Sequence, residues 1–138
     1  MAMFDFGERM QSAAPMGAPR IVGEWALHVQ CHWRIVQMHR VVVGSQDINY
    51  PADHSYGDEV PEEFDWNRDR SRLDRLIGDL FARNRKGYRV RAVEAGAASG
   101  LRIALEESMS LELFPGNSLP AENWRLFKPD AHEPHFVV

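Results

Sequence analysis

The one cysteine of the chain, Cys31, lies between His28 and His32, and a thiol beside imidazoles is the composition of a nucleophile with its base. That chemistry needs an imidazole nitrogen within hydrogen-bond reach of the sulfur. Residues Ile21 to Ile35 decide the matter locally. Ile21, Gly23, Trp25, Leu27, Val29, Cys31, Trp33 and Ile35 share one face of an extended chain, and Glu24, Ala26, His28, Gln30, His32 and Arg34 share the other. Neighbours in a strand point to opposite faces. The alternation therefore sends Cys31 to the buried side as a small apolar thiol and the histidines to water. Only a turn at this point would restore the dyad. His28 and His32 are spaced to share a metal on a helix, but a strand separates them by about 13 Å. His39, His54, His132 and His135 add no diagnostic spacing. No catalytic residue, metal site or cofactor is assigned on this basis.

Residues 44 to 65 carry the strongest charge pattern. Asp47, Asp53, Asp58, Glu59, Glu62, Glu63 and Asp65 are followed at once by Arg68, Arg70, Arg72 and Arg75. A solvated loop whose charges the helix partly neutralises accounts for this. The functional alternative is a docking surface for a basic partner, where complementary charge speeds encounter and rejects wrong partners. Asp47, Asp53, Asp58 and Glu59 are the binding candidates there. Paired carboxylates for hydrolysis rank lower, because nothing sets two of them face to face. A basic set, Arg83, Arg85, Lys86, Arg89 and Arg91 around Tyr88, has the composition of a small phosphate-binding stripe. Against it stands a formal net charge of -4, so nucleic acid is not the expected partner.

The elements that must position these groups follow from periodicity. Residues 1 to 19, rich in Met, Ala, Gly and Pro, read as a flexible arm whose Phe4 and Phe6 are free to dock on the domain or a second subunit. Residues 20–138 read as a single domain. The Ile21–Ile35 alternation is either two strands turning near Gln30 to Trp33 or one long bent strand. Val36 to Val43 reads as a further strand. The 44–65 segment, with Pro51, Gly57 and Pro61, reads as a long loop. A helix is expected from a cap at Asp65 or Asn67, with Leu73, Leu76, Ile77, Leu80 and Phe81 as its buried stripe and Trp66 continuing the line. Beyond Gly87 the period returns to two. Strands are expected around Tyr88–Val93, Leu101–Leu105, Met109–Leu113, Trp124–Phe127 and His135–Val138. Turns fall at Glu106-Glu107-Ser108, Pro115-Gly116-Asn117 and Lys128-Pro129-Asp130. The sum is an α+β fold: a curved, mainly antiparallel sheet of about seven strands packed against one main helix. One helix cannot cover both faces of such a sheet, so a homodimer or other protein partner is expected.

With 138 residues the chain suits one domain of ordinary core size. A single cysteine excludes a disulfide framework. No apolar run approaches the roughly 18 to 20 residues of a membrane span, and the N-terminus lacks signal-peptide character, so the expected setting is cytoplasmic and away from membranes. No Walker, dinucleotide, nucleophile-elbow or paired CxxC motif is present.

The segments Val42-Val43-Gly44-Ser45-Gln46-Asp47, Leu101-Arg102-Ile103-Ala104-Leu105, Leu111-Glu112-Leu113-Phe114-Pro115-Gly116 and Glu122-Asn123-Trp124-Arg125-Leu126-Phe127, with the ending His135-Phe136-Val137-Val138, resemble small uncharacterised bacterial sheet-rich proteins, some of the immunity type encoded near toxins. The resemblance implies a cytoplasmic protein that binds another protein. It directs attention to Asp47, Glu122, Trp124 and Arg125. The functional expectation is a noncatalytic protein-binding module; the alternative is a small-molecule-binding protein or cofactor-free enzyme with a pocket between helix and sheet.

Overall fold

The computed structural model describes residues 1–12, 19–55, 58–116, 118, 120–129 and 135–138. Among them are nine strands, β1 (Ala2–Ser12), β2 (Arg20–Val29), β3 (His32–Gln37), β4 (Arg40–Gly44), β5 (Val90–Ala95), β6 (Leu101–Leu105), β7 (Met109–Phe114), β8 (Trp124–Phe127) and β9 (Phe136–Val137), and one α-helix, α1 (Arg72–Arg83). The fold is α+β with antiparallel sheets, as the alternating segments imply. The strands form two sheets, of order β1-β2-β8-β9 and β4-β3-β7-β6-β5, where one sheet of about seven strands was expected. The chain packs as two compact units, residues 1–31 with 115–138, and residues 32–114. No change of composition marks that division.

In the first unit the expected arm is an edge strand. β1 pairs antiparallel with β2, setting Phe4 against Leu27 and Phe6 against Trp25. Those aromatic and aliphatic cross-strand pairs supply the holding energy that composition alone hides. The ladder shifts between Phe6 and Arg9, where Gly7 takes a φ of +80°, a left-handed conformation suited to glycine at a bulge. Opposite, a Cβ on Gly23 would stand 2.7 Å from the Phe6 carbonyl oxygen, so the two backbones touch where only hydrogen fits. β8 pairs with the other edge of β2, and the short β9 with β8. Ala26, Leu27, Val29 and Trp124 are buried. β2 ends at Val29, so the long alternation is two strands broken at Gln30 and Cys31.

In the second unit β3 and β4 split the apolar run that reads as one strand. Met38 and His39 have φ of 45° and 69°, and they form a two-residue hairpin turn. Glu107 and Ser108, at 58° and 55°, close β6 onto β7 in the expected hairpin. Trp33, Ile35, Val43, Ile103, Met109, Leu111 and Leu113 form the buried side of the sheet, and Leu80 of α1 is buried too. On the other side Arg34, Glu112, Arg102 and Glu94 stand in register across four strands. They form a row of alternating charge, with contacts of 2.8, 3.7 and 3.4 Å.

The helix begins later than a cap at Asp65 or Asn67 would place it. Asp65 is used in a separate turn, where its Oδ1 accepts from Asn67 N–H and its carbonyl from Asp69 N–H. The cap is Ser71. Its hydroxyl oxygen accepts from Asp74 N–H at 3.2 Å, and Asp74 Oδ2 accepts from Ser71 N–H at 3.0 Å, a reciprocal capping box. Of the expected stripe Leu80 is buried and Leu73, Leu76 and Ile77 are half-buried, whereas Phe81 and Trp66 are exposed. Asn117 and Asp130 of the expected turns, His132, and residues 13–18 and 56–57 of the arm and loop lie outside the described residues.

The capping box gives the first prediction. Hydrogen bonds from the Ser71 hydroxyl and then the Ser71 N–H hold the Asp74 carboxyl below its ordinary value of 3.8; burial opposes this, and the Arg70 charge adds to it. A lowered folded value means that the stabilisation is complete above the ordinary value and is lost as pH falls through the folded one. Asp74→Asn is expected to flatten the acid limb of stability against pH below about pH 4. Ser71→Ala is expected to cost about 1 kcal/mol in urea denaturation followed by far-ultraviolet circular dichroism. Separately, Gly23→Ala is expected to lower the melting temperature of the first unit, because β1 must move off the Phe6 contact.

Candidate functional site

Between β4 and α1, residues 47–54 are bonded to the arginines that follow. Residues Ser45–Asn49 form a 3-10 turn. Asp47 Oδ2 accepts from Gly44 N–H at 2.8 Å, and its Oδ1 lies 3.3 Å from Arg72 Nε. Arg72 Nη1 donates to His54 O at 3.2 Å, and Arg75 Nε donates to Ala52 O at 2.6 Å. Backbone bonds from Arg72 N–H to Tyr50 O and from Ala52 N–H to Arg70 O form a bridge beside them. An irregular segment carries polar backbone groups that must find partners. Here the first turn of α1 supplies them. Asp47 is thus part of the framework that shapes the loop.

The remaining acids face solvent. Asp53, Asp58, Glu59, Glu62, Glu63 and Asp69 are exposed, with Asp58 Oδ2 also accepting from Ser55 N–H. Among them Ile48, Tyr50, Val60 and Trp66 expose large apolar surface; Trp66 is 51% exposed. Trp66 leans edge-on against Phe64 with ring centroids 4.6 Å apart, and Tyr50 lies against His54 at 4.8 Å. Such contacts restrict the rings. An open cleft of about 500 Å³ runs through this region, lined by Pro51, Asp53, Phe64, Asp69, Arg70 and Arg75. Its lining comes from the loop, its last residues and one helix residue; no sheet residue contributes.

Glu122 and Arg125 belong to the first unit and do come together. Glu122 Oε1 accepts from Gln30 Nε2 at 2.8 Å and lies 3.3 Å from Arg125 Nε. Arg125 sits opposite His28 in the ladder, with Nη2 3.4 Å from His28 Nδ1, and its guanidinium lies over the Phe127 ring at 5.6 Å. His28 Nε2 is 3.1 Å from Met3 Sδ. His32, in the second unit, has its Nδ1 3.1 Å from Gln46 Nε2. The two histidines flanking Cys31 therefore have separate sets of neighbours. Cys31 itself is half-buried. Trp124 is a core residue.

Among the described residues no three His, Cys, Asp or Glu side chains converge to hold a metal. No helix among them is long and apolar enough to cross a membrane. Periodicity missed the exposed apolar residues of the loop, because an irregular segment has no period from which to read a face. Their only sequence signal is their interleaving with acids and prolines. The loop-binding role of Arg72 and Arg75 was legible only as two arginines three apart after an acidic run. Compared with known proteins, the chain matches no family model, no curated protein and no solved structure.

The differing roles of the loop acids are separable by stability. Asp47→Ala is expected to cost about 1–2 kcal/mol, since it strands the Gly44 N–H and one face of Arg72. Glu59→Gln is expected to stay within about 0.5 kcal/mol of the unsubstituted protein. Urea titration of the three proteins side by side checks both.

Proposed function

We propose that this protein is a noncatalytic protein-binding module that recognises a basic protein surface through its 47–69 segment. One observation carries the reading: Ile48, Tyr50, Val60 and Trp66 are exposed in the midst of exposed carboxylates, and the first part of the segment, residues 47–54, is clamped by Arg72 and Arg75. Apolar and aromatic residues give a binding face its holding energy, while the surrounding charge steers and selects. Clamping lowers the entropy lost on association. Asp53, Asp58 and Glu59 act here as steering charges, with Asp47 setting the loop geometry. An immunity-type role, which the sequence resemblance implies, is one instance of this reading.

The test uses fluorescent peptides that alternate Lys or Arg with Leu and Trp, titrated with the full chain at low and moderate salt. Binding is expected to weaken as salt rises. Combined Glu59→Lys, Glu62→Lys and Glu63→Lys substitution is expected to slow association by about tenfold or more at low salt. Trp66→Ala is expected to speed dissociation with little change in the salt dependence. Equal binding by the charge-reversed variant and the unsubstituted protein overturns the proposal.

A further inference from the structure

We infer that β5 is a self-association edge, through which two copies of the chain join their sheets antiparallel about a two-fold axis at Val93. This surface is separate from the acidic segment and does not depend on the function proposed for it. Among the described residues β5 is the end strand of its sheet, paired with β6 alone, and all six of its residues are exposed. Val93 is 60% exposed. The opposite end strand, β4, is packed by α1. β5 thus presents a free row of backbone donors and acceptors, the feature by which sheets add strands.

The outward groups can be identified. Gly96 N–H donates to Gly100 O at 2.8 Å, so Gly96 turns its backbone toward the neighbouring strand. By alternation Glu94 and Ala92 do likewise, and Val93 and Ala95 turn theirs outward. Arg91 is the extra residue where the β5–β6 register shifts, which leaves Ala92–Ala95 as the regular stretch. An antiparallel pair centred on Val93 lets the two Val93 residues exchange both N–H to carbonyl bonds.

Charge selects a second copy as the occupant. Glu94 ends the alternating row Arg34–Glu112–Arg102–Glu94, and its contact within the chain is Arg102 at 3.4 Å. On the same side of the sheet Arg91 and Arg89 share one carboxylate, Glu106, at 3.0 and 3.7 Å. The edge is therefore basic at its start and acidic at its end. Antiparallel pairing about Val93 sets Glu94 of each copy opposite Ala92 of the other, one position from the bulged Arg91, so unlike charges meet diagonally across the axis. Sliding the centre by one residue, to Glu94, would set carboxylate against carboxylate. That register is disfavoured.

The test is sedimentation equilibrium of the full chain up to about 100 µM, where a micromolar contact is saturated. A dimer is expected. Val93→Pro removes an outward N–H at an edge position that tolerates proline, and it is expected to give a monomer with an unchanged circular dichroism spectrum. Ala95→Pro, at the next outward position, is expected to do the same and serves if the first variant unfolds. Glu94→Gln is expected to raise the dimer dissociation constant severalfold and to reduce its salt dependence. A monomer at the highest concentration, or a dimer that survives both proline variants, overturns the inference. The peptide titrations of the acidic segment would be untouched by either result, so the two proposals fail independently.

Discussion

A chain segment that is neither helix nor sheet stays in place only when its backbone polar groups find partners elsewhere. Residues 47–54 meet that constraint through the start of one helix. Ser71 caps α1, Arg72 reaches Asp47 and the His54 carbonyl, and Arg75 reaches the Ala52 carbonyl. Helix start and loop depend on each other. Arginine suits the work because its planar fork donates in several directions from one side chain and stays charged at every relevant pH. The exposed Ile48, Tyr50 and Asp53 lie among the residues these few bonds hold. The ion pairs involved are half-exposed and individually worth little. Their effect comes from acting with the capping box and the backbone bridge on one short stretch.

The sequence was most informative where one face of a strand is buried. The Leu101–Leu105 and Met109–Phe114 segments and the Glu107–Ser108 turn read directly, because a period of two is imposed by the core; the Ile21–Ile35 alternation holds only in part, since it breaks at Gln30 and Cys31, leaves Cys31 half-buried, exposes Ile21 and buries Ala26. It was least informative where local chemistry departs from common turn residues. Met38 and His39 hold a hairpin that glycine or asparagine would ordinarily signal, so Val36–Val43 looked continuous. The early strand was hidden in a methionine- and glycine-rich composition, since its stability comes from Phe4 and Phe6 against β2 rather than from propensity. The helix start shifted because Asp65 satisfies its own turn and leaves the cap to Ser71, whose partner three residues on completes the box.

The candidate site divides in the same way. The acidic concentration was visible in linear sequence, and so was the run of arginines that follows. Their pairing was not, because it depends on carbonyls at Ala52 and His54 that no side-chain pattern reveals. Glu122 and Arg125 were singled out by resemblance, and the structure gives them a local context of Gln30, His28 and Phe127 on one sheet. A three-residue spacing next to a strand start was too common a feature to disclose that network.

The first unit is built from the two flanks of the chain, with the whole of the second unit between them. During synthesis β1 and β2 leave the ribosome early and can close as a hairpin, while the strand that completes the other side of β2 is translated only after residues 32–114. For that interval an edge carrying Leu27 and Val29 waits without its neighbour, the situation in which nascent sheets aggregate or recruit chaperones. Final assembly is therefore a long loop closure, a non-local contact of the kind that slows folding. A circular permutant that begins in the second unit and makes the two flanks contiguous would shorten that wait.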